Sequence, residues 1–154
     1  LLLMRANSPV KSFRDITKWE DLLGYKETMG EEVYNRCLYV VQEIDRTQQA
    51  AKLLQQHDLK GLGKLMFATH EGLSKLYEVS CNELDFLVEQ AKKSSSVIGA
   101  RLMGGGFGGC TINIVANDAV ESFISETLAA YKTQFGIDGE AYVVQTDDGV
   151  RRIG

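Results

Sequence analysis

Five glycines stand within six consecutive positions in the second half of the chain, in the stretch RLMGGGFGGCT from Arg101 to Thr111. Glycine loses more conformational freedom on folding than any other residue, so such a cluster indicates unusual backbone angles or a very close neighbour. The runs VIGARLM before it and CTINIVA after it are rich in β-branched residues, which are typical of strands. The stretch therefore predicts a β-hairpin closed by a long glycine loop.

The residues that flank this loop exclude several classes of nucleotide-binding site. Gly104, Gly106 and Gly109 match the spacing GxGxxG, but a dinucleotide site requires a helix after the loop, and here a strand follows. A P-loop is excluded because no Gly-Lys-Ser/Thr closes the stretch, and a protein-kinase loop because too little chain follows it. An anion-binding nest, a surface packed on another backbone and a plain glycine-rich turn remain open. Five glycines exceed the needs of a simple turn, which favours the first two.

Helical periodicity marks the part of the chain before the loop. The sequence predicts a short helix near residue 20, a long helix over residues 31–56, a third helix capped by Asp58 and a fourth that ends near Lys93. Capping boxes are predicted for the first and fourth, at Thr17 with Glu20 and at Ser80 with Glu83. The stripe predicted to be buried on the third helix consists of Leu62, Leu65, Met66 and Thr69.

After the loop, Asp118 with Glu121 predicts the start of a last helix, and EAYVVQT at residues 140–146 predicts a final strand. The chain of 154 residues fits one domain. The order strand, loop, strand, helix, strand predicts an α+β fold with a small antiparallel sheet covered by helices on one face.

Charge and cysteine content limit the partners and the compartment. The net charge is −4 and no cluster of Lys or Arg alternates with aromatic residues, which argues against a nucleic-acid or membrane-surface binder. Cys37, Cys81 and Cys110 are odd in number and widely spaced, so we expect no disulfide framework, no zinc site and a cytoplasmic location. The opening LLLM is too short for a membrane span, and the missing initiator Met leads us to expect a piece of a longer protein.

Few side chains outside the loop are candidates for chemistry. Arg101 is the cation closest to the glycines, and strand alternation places it on the same face as Met103. It can reach a phosphate or form a salt bridge at a surface or domain interface. His70 is predicted to be a structural hydrogen-bonding residue. Asp147 and Asp148 are typical of a solvated turn rather than of a Mg²⁺ site.

The stretch GARLMGGGFGGCTINIV, residues 99–115, resembles the third signature motif of galactokinases, which are members of the GHMP family of small-molecule kinases. Residues 36–91, including YEVSCNELD, and the segments SFRDIT and AYVVQTDDG are similar to the same family. The resemblance implies that residues 1–154 form a GHMP kinase C-terminal domain of ferredoxin-like fold. It also implies a two-part enzyme that transfers the γ-phosphate of ATP to the anomeric hydroxyl of galactose, giving galactose 1-phosphate.

In that family, ATP and Mg²⁺ are bound mainly by an N-terminal half, which also carries the catalytic Asp and its Arg partner. None of those motifs is present here, so the resemblance implies no catalytic residue, no metal ligand and no activity for this chain alone. The loop is implied to line the cleft between the halves, against the sugar, the transferred phosphate and the nucleotide loop. Its residues are Gly104, Gly105, Gly106, Phe107, Gly108 and Gly109, with Arg101 and Met103 as accessory candidates.

Two alternatives to a galactose kinase remain. Galactokinase-like proteins also act as regulators that bind sugar and ATP without catalysis. Met103 stands where many family members carry a Thr, which leaves open a GHMP kinase for a related sugar such as N-acetylgalactosamine. The surface that faced the N-terminal half is expected to be apolar, so we also expect self-association through it.

Overall fold

Helices pack against a two-stranded antiparallel sheet in the computed structural model, which describes residues 1, 4, 10–147 and 149. Three 3₁₀ helices, Phe13–Asp15, Trp19–Tyr25 and Asn117–Ala119, accompany the regular elements. The predicted α+β class is confirmed. The regular elements are α1 (Lys26–Met29), α2 (Glu31–Gln55), α3 (Leu59–Lys75), α4 (Asn82–Lys93), β1 (Val97–Met103), β2 (Cys110–Val115) and α5 (Val120–Phe135).

The start of α3 agrees with the sequence, whereas three other predicted caps are wrong. Asp58 Oδ1 accepts a hydrogen bond from the backbone N–H of Gly61 at 2.8 Å, as an N-cap should. Lys18, Cys81 and Ala119 occupy the N-cap positions of the other segments and make no side-chain cap. Each predicted cap therefore misses its helix by one residue. A cap fails at that distance because its side chain must reach the N–H groups of the first turn.

Helix α3 covers the outer edge of β1. The backbone N–H of Leu102 donates to Nδ1 of His70 at 3.2 Å, on the side away from β2. A Cβ built on Gly63 would lie 1.8 Å from the carbonyl oxygen of Ile98, so the helix approaches the strand through a glycine. A covered edge cannot pair with another chain. Neither strand has a second strand neighbour among the described residues, and on β1 that edge is occupied by α3.

This close approach changes which face of α3 is buried. Thr69 is buried as predicted, but Leu62, Leu65 and Met66 are only half-buried and face a groove. The positions that α3 buries besides Thr69 are Gly63, His70 and Gly72. The predicted stripe was wrong because small residues, rather than leucines, make the contact with β1.

One face of the sheet carries the core. Val88 and Ala91 of α4 pack on Val97 and Ala100 of β1, with Phe67, Val115 and Phe123 around them. A second apolar cluster joins the segments before α2 to α2 itself, through Ile16, Leu22, Tyr34 and Val41. No helix in the described part of the chain combines the length and apolarity needed to cross a bilayer.

The predicted final strand is absent. Residues 140–147 have no assigned secondary structure, and Tyr142, Val143 and Val144 are more than two-thirds exposed. A strand exists only where a neighbour completes its hydrogen bonds, and no described segment pairs with these residues. The alternating apolar pattern of residues 140–146 was therefore not sufficient by itself to form a strand.

Candidate functional site at the glycine hairpin

The glycine loop connects β1 to β2 and is shaped by positive backbone angles. φ is +88° at Gly104, +84° at Gly106, +137° at Gly108 and +100° at Gly109. Side chains strongly disfavour this region, which explains the glycines. Phe107 also has a positive φ, +59°, and its side chain is 76% exposed. The loop therefore holds an exposed aromatic side chain on a backbone conformation that few residues other than glycine adopt.

One contact fixes the loop to the rest of the protein. The backbone N–H of Phe107 donates to the carbonyl oxygen of Val79 at 2.7 Å. A Cβ on Gly106 would lie 2.0 Å from the same oxygen, whereas nothing lies within 4 Å of a Cβ built on Gly104 or Gly105. The close neighbour at Gly106 is therefore the chain's own backbone, and the remaining glycines border open space.

The loop lies beside a groove of about 480 Å³ between α2, α3 and the second face of the hairpin. Arg101 and Gly104 line it from the hairpin, where Arg101 pairs across the sheet with Ile112. The two arginines and one glutamate in the lining leave a single positive charge. The lining residues are Tyr39, Glu43, Arg46, Thr47, Ala50, Leu62, Leu65, Met66, Thr69, Leu73, Arg101, Gly104, Ile112 and Ile114.

The polar wall of the groove is held by hydrogen bonds. Thr69 Oγ1 donates to Glu43 Oε1 at 2.9 Å, and Arg46 is paired with the same carboxylate. Burial, aided by the nearby Glu43 carboxylate, raises the pKa of Tyr39 to about 12, so its hydroxyl stays protonated. The Arg101 guanidinium donates to the carbonyl oxygen of Leu102 at 3.0 Å. The groove thus combines an apolar floor with fixed donors, the usual composition of a small-molecule site.

The candidates named from the sequence are distributed around this groove. Arg101 lines it, while Met103 is exposed and stands next to Gly104 without lining the groove. His70 is buried and hydrogen-bonded, as predicted for a structural residue. Asp147 is exposed, and Asp148 lies outside the described residues. No group of three His, Cys, Asp or Glu side chains able to hold a metal ion occurs among the residues described.

Sequence reasoning missed the contribution of α2 to the groove. Glu43 and Arg46 are spaced three apart and therefore share a helix face with Tyr39 and Ala50. Polar residues adjoining the apolar stripe of a long helix were a usable signal. That these residues line a groove depends on how α2 packs against α3, and this packing cannot be predicted from a local sequence pattern.

Three comparisons with known proteins give matches over much or most of the chain. A family model described as GHMP kinases C terminal matches residues 50–132. The galactokinase of Thermotoga petrophila is 39% identical over 143 residues, 93% of this chain and 39% of that protein. The galactokinase of Clostridium beijerinckii is 47% identical over 119 residues, 77% of this chain and 31% of that protein.

A solved structure gives the same result for the fold. The crystal structure of Lactococcus lactis galactokinase complexed with galactose matches 88% of this chain with a TM-score of 0.82 and 34% identity. The match covers 35% of that chain. The present chain therefore spans less than two-fifths of the length of the relatives it matches.

Proposed function

Because the chain belongs to the GHMP kinase family, we propose that it forms the C-terminal part of an ATP-dependent kinase that phosphorylates galactose at its anomeric hydroxyl. The observation that carries the proposal is the match of 93% of the chain to a galactokinase. The exposed glycine loop beside a groove is the surface that such an enzyme needs where its two parts meet.

Phosphoryl transfer requires mainly positioning and charge stabilisation from the protein. We assign the positioning role to the loop Gly104–Gly109, because four of its five glycines leave the backbone open to a ligand or to a neighbouring loop. Arg101 supplies a cation at the rim of the groove, where a phosphate oxygen can accept from it. Met103 borders the first glycine and is our candidate for sugar preference.

The nucleotide and its metal depend on the other part of the enzyme. Mg²⁺ prefers several oxygen ligands, and the described residues do not group their carboxylates in that way. We therefore propose that ATP and Mg²⁺ are held mainly by an N-terminal part, and that this chain alone transfers no phosphate. The three free cysteines support a cytoplasmic location for the enzyme.

A chimera tests the proposal. This chain replaces the matching segment of the Thermotoga petrophila galactokinase, and formation of galactose 1-phosphate from ATP and galactose is followed by ³¹P NMR. We expect turnover by the chimera and none by the isolated chain. A chimera that unfolds cooperatively like its parent but forms no sugar phosphate contradicts the proposal.

The same chimera separates the two alternatives. Phosphorylation of N-acetylgalactosamine is compared with that of galactose, in the chimera and in its Met103→Thr variant. Preference for the acetylated sugar, reversed by the threonine, identifies a kinase for a related sugar. Sugar and ATP binding without turnover, by the protein in its own full length, identifies a regulator.

A further inference from the structure

We propose that His70 and Asp85 are positioning residues that fix the beginning and the centre of the glycine loop from the helices behind it. Neither residue lines the groove. They act on the loop through two backbone anchors. The consequence for turnover rests on the function proposed above, whereas the anchoring itself does not.

The first anchor lies at the beginning of the loop. Leu102, two residues before Gly104, donates its backbone N–H to Nδ1 of His70 at 3.2 Å. Since Nδ1 accepts this bond, the proton of the neutral ring resides on Nε2, which lies 3.1 Å from Oδ1 of Asp85. Both His70 and Leu102 are at least 95% buried, so water cannot replace either partner.

The second anchor lies at the centre of the loop. Asp85 Oδ1 also accepts from the hydroxyl of Ser80 at 2.6 Å. Ser80 directly follows Val79, whose carbonyl oxygen accepts the N–H of Phe107. The residue before Val79, Glu78, has a φ of +58°, so this short segment is held in a conformation that few side chains adopt. One carboxylate therefore joins both anchors.

The protonation states of His70 and Asp85 favour the hydrogen bond between them. Burial lowers the pKa of His70, although Asp85 opposes this effect, so the ring is neutral near pH 7. Burial raises the pKa of Asp85, but hydrogen bonds from Ser80 and Ser74 and the neighbouring His70 outweigh it and hold that pKa below its usual value. A neutral histidine donor and an ionised acceptor form a strong hydrogen bond.

The chain offers a matched pair of serines for the test. Ser74 Oγ donates to Asp85 Oδ2 at 2.9 Å from within α3. Ser80 is bonded covalently to Val79, whereas the residue beside Ser74, Leu73, contacts Val79 only by accepting its backbone N–H at 3.0 Å. Ser80→Ala and Ser74→Ala thus remove the same group from the same carboxylate. The measurement is amide hydrogen exchange at Phe107 by NMR on this chain, with thermal unfolding as the check on folding.

We expect Ser80→Ala to speed exchange of the Phe107 amide about five- to ten-fold, the size of one hydrogen bond, and Ser74→Ala to leave it within two-fold. If the Phe107 amide exchanges at the same rate in the two variants, and the variants unfold at the same temperature, the proposal is overturned. It would mean that Asp85 stabilises the fold without controlling the loop.

Two substitutions of His70 separate its two hydrogen bonds. His70→Asn keeps an acceptor near the Nδ1 position, and His70→Gln keeps a donor near the Nε2 position. We expect the Leu102 amide to stay protected with Asn and to exchange faster with Gln. Faster exchange with Asn than with Gln contradicts the first anchor.

Activity of the chimera then tests the consequence. Ser80→Ala should lower kcat several-fold with little change in KM for ATP, since the loop is mispositioned rather than lost, and Ser74→Ala should alter neither. If exchange responds as expected but the unmutated chimera is inactive, the anchoring holds and the proposed function fails. If the unmutated chimera is active but the two serine variants do not differ in Phe107 exchange or in kcat, the proposed function holds and the anchoring fails.

Discussion

At the scale of single residues, the glycines of the loop are not equivalent. Gly106 has a positive φ and no room for a Cβ against Val79, whereas Gly105 has neither restriction. We expect Gly106→Ala to cost about 2 kcal/mol or more of unfolding free energy, and Gly105→Ala to stay within about 0.5 kcal/mol. Urea unfolding of the two variants measures this difference.

The same pair reports on function when placed in the chimera. Gly106→Ala should reduce turnover about ten-fold or more, because the loop must leave Val79. Gly105 borders open space that we assign to a ligand or a neighbouring loop, so a loss of turnover there without loss of stability supports the assignment. Loss of stability at Gly105 equal to that at Gly106 contradicts the distinction.

His70 makes the stability of the chain depend on pH. Its pKa is lowered in the folded protein by burial, so below about pH 6.5 the unfolded state takes up a proton that the folded state resists. The stabilising contribution is therefore present above pH 6.5 and is lost as the pH falls. The charged groups that act on the ring are Asp85, Glu89 and Lys92, all on α4.

Unfolding midpoints between pH 5.0 and 7.5 test this dependence against His70→Gln, which cannot titrate. His57 is the other histidine of the chain and remains in both proteins, so the difference between them isolates His70. We expect the unmutated protein to lose more stability on acidification. An equal or smaller loss indicates that the ring is not kept neutral by the fold.

At the scale of elements, the packing of α3 on β1 depends on two glycines that face each other. A Cβ on Gly99 would lie 2.4 Å from Cα of Gly63, and one on Gly63 would meet the carbonyl of Ile98. Alanine is the better helix former by about 1 kcal/mol, but overpacking here should outweigh that gain. We expect Gly63→Ala to destabilise the protein by about 1–3 kcal/mol.

Gly24→Ala is the matched control for this substitution. Nothing lies within 4 Å of a Cβ at Gly24, and its φ is ordinary, so the change should alter stability by less than about 0.5 kcal/mol. Thermal unfolding of both variants decides the matter. A neutral or stabilising Gly63→Ala contradicts the close approach.

Elements with a strong local signal were predictable, and those that depend on distant partners were not. The hairpin, the long helix α2 and the Asp58 cap followed from periodicity and from one side chain. Ser80 was interpreted as a cap because it precedes a helix, but its hydroxyl donates to Asp85 instead. Serine favours both arrangements, and only the packed structure selects between them.

Part of the candidate site was likewise predictable from local sequence, and part depends on residues that are distant in the chain. The loop was evident from its composition, and Arg101 followed from strand alternation. The groove beside it also needs Tyr39, Glu43 and Arg46 from a helix more than fifty residues earlier. The contact of α2 with α3, where Tyr39 covers Gly72, brings these residues to the loop and leaves no local mark in the sequence.

At the scale of the whole molecule, one run of consecutive exposed apolar side chains lies near the end of the described residues. Tyr142, Val143 and Val144 are three consecutive side chains that are each more than 70% exposed, on a segment without assigned secondary structure that pairs with no described strand. The outer edge of β2 likewise has no strand partner among the described elements. Extended apolar segments and unpaired edges both favour association between chains.

We therefore expect this chain to self-associate in a concentration-dependent manner. Sedimentation equilibrium at several concentrations should give a weight-average mass that rises above that of the monomer, and the double variant Val143→Lys/Val144→Lys should lower it, because charge at these positions opposes pairing. Val33→Lys is the matched control, since Val33 is also exposed but lies on helix α2, where it offers no backbone for pairing. If the control lowers the mass as much as the double variant, association depends on general apolar exposure rather than on this segment. If the unmutated chain stays monomeric throughout, exposure of this segment does not cause association.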